Sequence, residues 1–184
     1  YEQRVEESQE TYAEDVSAFE TALAVGRGVW YRPAGYRAIL QIMIATEGED
    51  DDARLASVKD KTDDIYDRLE QGESFETLIK EYGEDTSFDN ESFFTTGYQV
   101  HRDSILWEES FVEASFGDDM QEIGDYSEPI VFGDQVHILY YLKDVPEGAV
   151  ELSEDLAEAL RSEIYAEKAN AKMEERLAQL KEES

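Results

Sequence analysis

The chain has 184 residues, enough for one ordinary domain plus accessory helices, and 41% are hydrophobic, with 8 Phe, 11 Tyr and 2 Trp to build a core. Its formal net charge of −30, from 46 acids against 16 bases, opposes binding to nucleic acid, which depends on Lys and Arg neutralising phosphates, and opposes docking on anionic lipid. There is no cysteine, which excludes thiol chemistry and suits an exported, disulfide-free protein.

Val5, Tyr12, Val16, Phe19 and Leu23 recur at three-four spacing and predict one amphipathic helix, stopped by Gly26 and Gly28. The chain opens on Tyr1 inside this pattern and without a methionine, so it reads as a processed or truncated piece whose signal or anchor would lie upstream. Arg32, Pro33, Ala34 and Gly35 look like a turn. Tyr36 then begins a short run of large apolar residues, reaching Ile44, that predicts a buried strand.

The acidic stretch from Glu47 to Asp52 suits the N-terminus of the next helix, and it lacks the spacing of a calcium loop. That helix carries Leu55, Val58, Thr62, Ile65 and Leu69 on one face and ends at Gly72. Ser74 is expected to cap a shorter helix with Phe75, Leu78, Ile79 and Tyr82 inward. Phe93, Phe94, Thr95 and Thr96 read as a short strand before Gly97, and Leu106, Trp107, Phe111 and Ala114 as a turn or two of helix. Two strands follow, residues 127–132 and 136–142, joined by a tight turn at Gly133. Ser153 then caps a long charged helix carrying Leu156, Leu160, Ile164, Leu177 and Leu180. One early strand, intervening helices and a late hairpin imply an α+β fold with a largely antiparallel sheet.

The chemistry is sparse. His101 and His137 are the only histidines, so neither a multi-histidine metal site nor a cofactor is expected, and no phosphate loop or nucleophile elbow is present. No apolar run reaches membrane-spanning length, so the visible chain is not expected to insert in a membrane. A reaction compatible with this inventory is rotation about an X-Pro bond, which makes and breaks no bond and needs a proline pocket beside polar groups.

Specific residues carry a resemblance to that class. Tyr36-Arg37-Ala38-Ile39-Leu40 forms a first strand, and Ile65 to Leu78 a helix, a glycine and a helix anchored on Phe75. Glu81-Tyr82-Gly83-Glu84-Asp85 and Phe111 to Phe116 follow in order, then Gly124 to Ile130 and Val136-His137-Ile138-Leu139. In this ordered set the chain resembles the parvulin-type peptidyl-prolyl cis-trans isomerases, most closely the domain inside extracytoplasmic foldases of the PrsA type.

The resemblance implies a parvulin-like domain over residues 36–145 with a four-stranded, mainly antiparallel sheet. Residues 1–35 and 146–184 would then be flanking helices of a chaperone-like module, and the clients unfolded or extended proline-containing polypeptides outside the cytoplasm. His137 matches the family's late-strand histidine, and a hydrogen-bonded sheet histidine is the alternative. Asp85 falls where the family carries the Asp or Cys that faces the substrate amide, with a loop-capping acid as the alternative. Phe111 matches the aromatic floor of the proline pocket, and core packing is compatible with that role.

Three departures stand out, one being Asp89-Asn90-Glu91-Ser92-Phe93 in place of the family's glycine-rich stretch. Gln41 replaces the family's first-strand histidine and cannot ionise near neutral pH. The segment from Tyr98 to Ser110 is lengthened, leaving Ile105, Leu106 and Trp107 as candidates for the remaining pocket wall. Two readings follow: an isomerase with a weakened site, using Asp85, His137 and Gln41 at the amide and Phe111, Trp107 and Leu106 at the ring, or a non-catalytic peptide-binding chaperone or scaffold.

Overall fold

The computed structural model describes residues 1–182. Helices α1 (Glu2–Tyr12) and α2 (Val16–Ala24) lead into strand β1 (Tyr31–Arg32) and the long β2 (Tyr36–Ala45). Next come α3 (Asp51–Glu70), α4 (Phe75–Tyr82), a 3₁₀ turn at Thr86–Asp89, α5 (Phe93–Thr96), β3 (Tyr98–Val100) and α6 (Glu109–Ser115). The chain finishes with β4 (Ile130–Phe132), β5 (Gln135–Val145), β6 (Gly148–Ala149) and α7 (Glu154–Glu182). The main sheet has four strands in the order β3-β2-β5-β4, and every pair is antiparallel, as the α+β reading required.

Local chemistry explains most boundaries. Asp50 Oδ1 accepts from Ala53 N at 2.8 Å and caps α3, so the acidic stretch is a helix start. Ser74 caps α4, and Ser153 caps α7 through Leu156 N at 3.2 Å. β4 and β5 meet in a two-residue turn whose first position, Gly133, has φ +62°, the type II′ arrangement that matches strand twist.

Four expectations need correction. The first helix is two, because the chain breaks after Tyr12 and Asp15 Oδ1 caps α2 by accepting from Ala18 N at 2.8 Å. Phe93–Thr96 is a helical turn and not a strand: Asn90 Oδ1 accepts from Ser92 N at 3.1 Å, and Gly97 N closes the turn on Phe93 O at 2.8 Å. The strand starts one residue past Gly97, whose φ of +60° and 2.9 Å approach of a would-be Cβ to Ile39 O admit only glycine. Arg32, read as part of a turn, lies in β1 and pairs with Gly148 in a separate two-stranded sheet. Finally α6 begins at Glu109, which leaves Leu106 and Trp107 in the preceding loop.

The two faces of the sheet are covered differently. Leu40, Ile42, Ile44, Val136 and Ile138 point to one side and pack on Val58 and Ile65 of α3 and Phe75, Leu78 and Ile79 of α4. The alternate residues, Ile39, Leu139 and Tyr141, pack with Val100, Phe111, Val112 and Met120 on the other. α1 and α2 contribute Tyr12, Phe19 and Ala22 to a third cluster with Tyr36, Ala38 and Val145 at the end of the central strands. On α7 Leu160 is buried, but Tyr165, Met173 and Leu177 are exposed, and the side chain of Leu180 lies outside the described residues. Arg4 of α1 bridges to Glu163 and Glu167 of α7. Among the described residues no helix is long and apolar enough to cross a membrane.

Candidate functional site

Strand alternation brings Gln41 and His137 together. Gln41 stands opposite Leu139, and His137 opposite Met43, so Gln41 and His137 are diagonal neighbours on one face of the β2–β5 pair. Diagonal positions lie within reach of long side chains, and His137 Nδ1 lies 2.8 Å from Gln41 Oε1. Both residues are buried.

Asp85 arrives from the opposite side. The end of α4 is tied to β2 by Glu84 N donating to Met43 O at 2.9 Å, and the chain then enters the 3₁₀ turn that Asp85 caps by accepting from Ser87 N at 2.9 Å. Its other oxygen, Oδ2, accepts from Gln41 Nε2 at 2.7 Å and from the Tyr98 hydroxyl at 2.7 Å. The Tyr98 hydroxyl shares a second hydrogen bond of 2.8 Å with the Ser87 hydroxyl.

These contacts determine proton positions. An ionised carboxylate only accepts, so the Gln41 amide must turn its NH₂ to Asp85 and its oxygen to His137. His137 must then donate from Nδ1, which leaves Nε2 as a lone-pair acceptor when the ring is neutral. Burial lowers the His137 pKa, and the nearby Asp85 charge only partly offsets it, so the ring is held neutral. Burial alone would raise Asp85, but hydrogen bonds from Tyr98, Gln41 and Ser87 together hold it below the usual carboxylate range. His137 Nε2 is buried and has no hydrogen-bond partner among the described residues. The Phe132 ring stands edge-on to the imidazole at 5.5 Å.

An aromatic ladder continues from this network. The Tyr98 ring meets Trp107 edge-on at 5.3 Å, and Trp107 stacks on Phe111 at 4.9 Å with 21° between planes. The indole N–H donates to Gln99 O at 3.0 Å. Phe111 is only 3% exposed, whereas Trp107 is half-buried, so Trp107 forms the outer layer of the stack. A groove of about 760 Å³ runs elsewhere, beside Phe19, Leu23, Trp30, Val150 and Leu156.

Of the six residues expected at the site, Gln41, Asp85 and His137 form one hydrogen-bonded chain, and Trp107 and Phe111 form the adjoining stack. Leu106 does not join them. Its side chain is exposed, and its backbone N–H donates to Glu20 Oε2 at 3.1 Å. Among the described residues no group of three or more Asp, Glu, His or Cys side chains is placed to hold a metal ion.

Two residues were missed. Tyr98 was grouped with the lengthened segment, although its hydroxyl completes the Asp85 network. Glu20 occupies an apolar-face position of α2, beside Val16, Phe19 and Leu23, and a charge on that face was the signal.

No family model matches the chain, and no curated protein matches it in sequence. Among solved structures, the chain is similar to PrsA from Bacillus subtilis, with a TM-score of 0.43 and 20% identity over 90% of this chain and 53% of that one. It is likewise similar to foldase protein PrsA from Streptococcus pneumoniae, with a TM-score of 0.44 and 19% identity over 94% of this chain and 55% of that one. The chain thus spans about half the length of these proteins.

Proposed function

We propose that this protein binds extended, proline-containing segments of unfolded polypeptides on the Gln41–Asp85–His137 face, as a foldase of the parvulin type acting outside the cytoplasm. Residues 36–145 form the binding domain, and the segments 1–35 and 146–184 serve as its chaperone-like flanks. The observation that carries the reading is the continuity of one polar chain, His137–Gln41–Asp85–Tyr98, with one aromatic stack, Tyr98–Trp107–Phe111. A proline ring requires an aromatic surface, and the amide before it requires oriented polar groups. In the chemistry proposed here Asp85, Gln41 and His137 stabilise the twisted amide relative to the planar one.

A second reading, peptide binding without bond rotation, is favoured by one feature. Trp107 stacks on the very ring that the resemblance assigns to the proline floor. A protease-coupled isomerisation assay on a panel of X-Pro peptides separates the two, with Trp107→Ala beside the unaltered protein. Acceleration by either protein supports the isomerase. Suppressed aggregation of an unfolded client without acceleration supports the chaperone, and neither activity refutes both.

A further inference from the structure

Glu20 is 1% exposed, although it belongs to a chain that already carries a net charge of −30. A buried carboxylate is tolerated only when its oxygens are fully hydrogen-bonded. Oε1 accepts from the Tyr36 hydroxyl at 2.9 Å and from Ser104 Oγ at 2.8 Å. Oε2 accepts from Ser104 Oγ at 2.9 Å, from Ile105 N at 2.7 Å and from Leu106 N at 3.1 Å. Apart from Tyr36, every donor comes from the loop between β3 and α6.

At residues 104–106 the loop's other hydrogen bonds are internal to it: Ser104 N donates to His101 O at 3.1 Å, and Leu106 N also donates to Ser104 Oγ at 3.3 Å. Ile105 and Leu106 are 54% and 49% exposed, so their side chains do not anchor it. Leu106 directly precedes Trp107, and fixing one residue fixes the next Cα at about 3.8 Å. A mechanical path therefore runs from α2 through Glu20 and residues 104–106 to the indole that covers Phe111.

We infer that Glu20 is the positioning residue for Trp107: its carboxylate clamps residues 104–106, and through them α2 holds Trp107 as a shutter over Phe111. The consequence for peptides rests on the functional reading above, whereas the clamp rests on hydrogen-bond geometry alone. Releasing Glu20 loosens the shutter, which then rests only on its own contacts with Phe111, Tyr98 and Gln99 O. By linkage, a peptide that displaces Trp107 weakens the clamp to the same extent.

The test uses the full chain labelled with 5-fluorotryptophan, its two resonances assigned with Trp107→Phe. Glu20→Gln removes the charge and leaves one acceptor oxygen where the carboxylate has two, and Ser104→Ala removes the hydroxyl that both carboxylate oxygens share. Tyr36→Phe is the control, since it removes the one hydrogen bond that Glu20 receives from the sheet and no loop donor. Glu20→Gln and Ser104→Ala are expected to speed amide exchange at Ile105 and Leu106 at least tenfold and to shift the Trp107 fluorine resonance. Both should also change affinity for an apolar proline-containing peptide at least threefold. Tyr36→Phe should alter overall stability and leave the loop amides and Trp107 unmoved. If Glu20→Gln fails to fold, Ser104→Ala at its partly exposed position decides the matter.

Unchanged exchange and fluorine signals overturn the clamp. A freed Trp107 with unaltered peptide affinity overturns the shutter. If the unaltered protein binds no peptide, the functional reading fails, and the clamp is judged on exchange and fluorine signals alone.

Discussion

Replacing Gln41 with leucine tests the buried network most directly. The substitution removes the hydrogen bond from Gln41 Nε2 to Asp85 at 2.7 Å and strands the His137 Nδ1–H that now meets Oε1 at 2.8 Å. A hydrogen bond to a charged group contributes about 1.5–3 kcal/mol, and an unpaired buried donor costs about 1–3 kcal/mol. Leucine returns apolar burial, about 1.5–3 kcal/mol for a fully buried side chain. The net loss is therefore about 1–3 kcal/mol. His137→Leu alone strands the Gln41 oxygen instead. In the double variant neither orphan remains, and Asp85 keeps its bonds from Tyr98 and Ser87. Urea unfolding of all four proteins should then show the double variant at least about 1 kcal/mol less destabilised than the sum of the singles, beyond the ~0.5 kcal/mol scatter of independent sites. Additive effects would refute the proton assignment, because they would mean that Gln41 and His137 are not energetically joined.

Other expectations follow from the same site. His137 should appear by ¹⁵N NMR as the neutral Nδ1–H tautomer at pH 7, and an Nε2–H tautomer would require Gln41 to be flipped. Because burial lowers the folded His137 pKa, the unfolded chain takes up a proton first as pH falls. Stability from this residue is thus complete above about pH 6.5 and declines below it, at no more than about 1.4 kcal/mol per pH unit, and His137→Leu should flatten that slope in unfolding titrations. Asp85, lowered in the folded state, contributes stability that is present above about pH 3.9 and lost as pH falls toward its folded value; Asp85→Asn should remove this more acidic limb. Phe111→Ala should cost about 3–5 kcal/mol by calorimetry, because the ring is buried, so any binding defect in that variant must be read on the folded fraction.

Much of the fold was legible because its central elements carry strong period and clear punctuation. β2, α3, α4 and β5 each pair an apolar pattern with a cap or a turn, and all four formed where expected. The failures came where local hydrogen bonding outweighed composition. Phe93–Thr96 has strand-like residues, yet the Asn90 side chain starts a helical turn there. The break between α1 and α2 was hidden because the apolar spacing continues across it, and Asp15 is one acid among many until its cap is seen. For the site, the resemblance gathered Gln41, Asp85 and His137 across 96 residues of sequence, and they do meet. Tyr98 could not be found that way, since its hydroxyl reaches Asp85 only through the pairing of β3 with β2.

The contacts that make this face rigid also rank the ways in which it can be used. A ligand ring that seats on Phe111 must first part the Trp107–Phe111 stack, which is worth about 0.5–1.5 kcal/mol beyond its buried area, and must detach the indole N–H from Gln99 O. A ligand that lies on the outer face of Trp107, beside Tyr98, breaks neither contact. Surface capture of an extended segment is therefore the lower-energy use of the closed face. In the function proposed above, insertion of a proline ring beside Asp85 and Gln41 is the use of an opened one. On that same proposal the molecule binds peptides broadly while rotating few of their bonds, and the balance depends on how firmly the loop is held. Glu20 holds it from α2, which precedes β2 in the chain. The proposed clamp makes α2 a determinant of access to this face as well as a packing partner of the sheet.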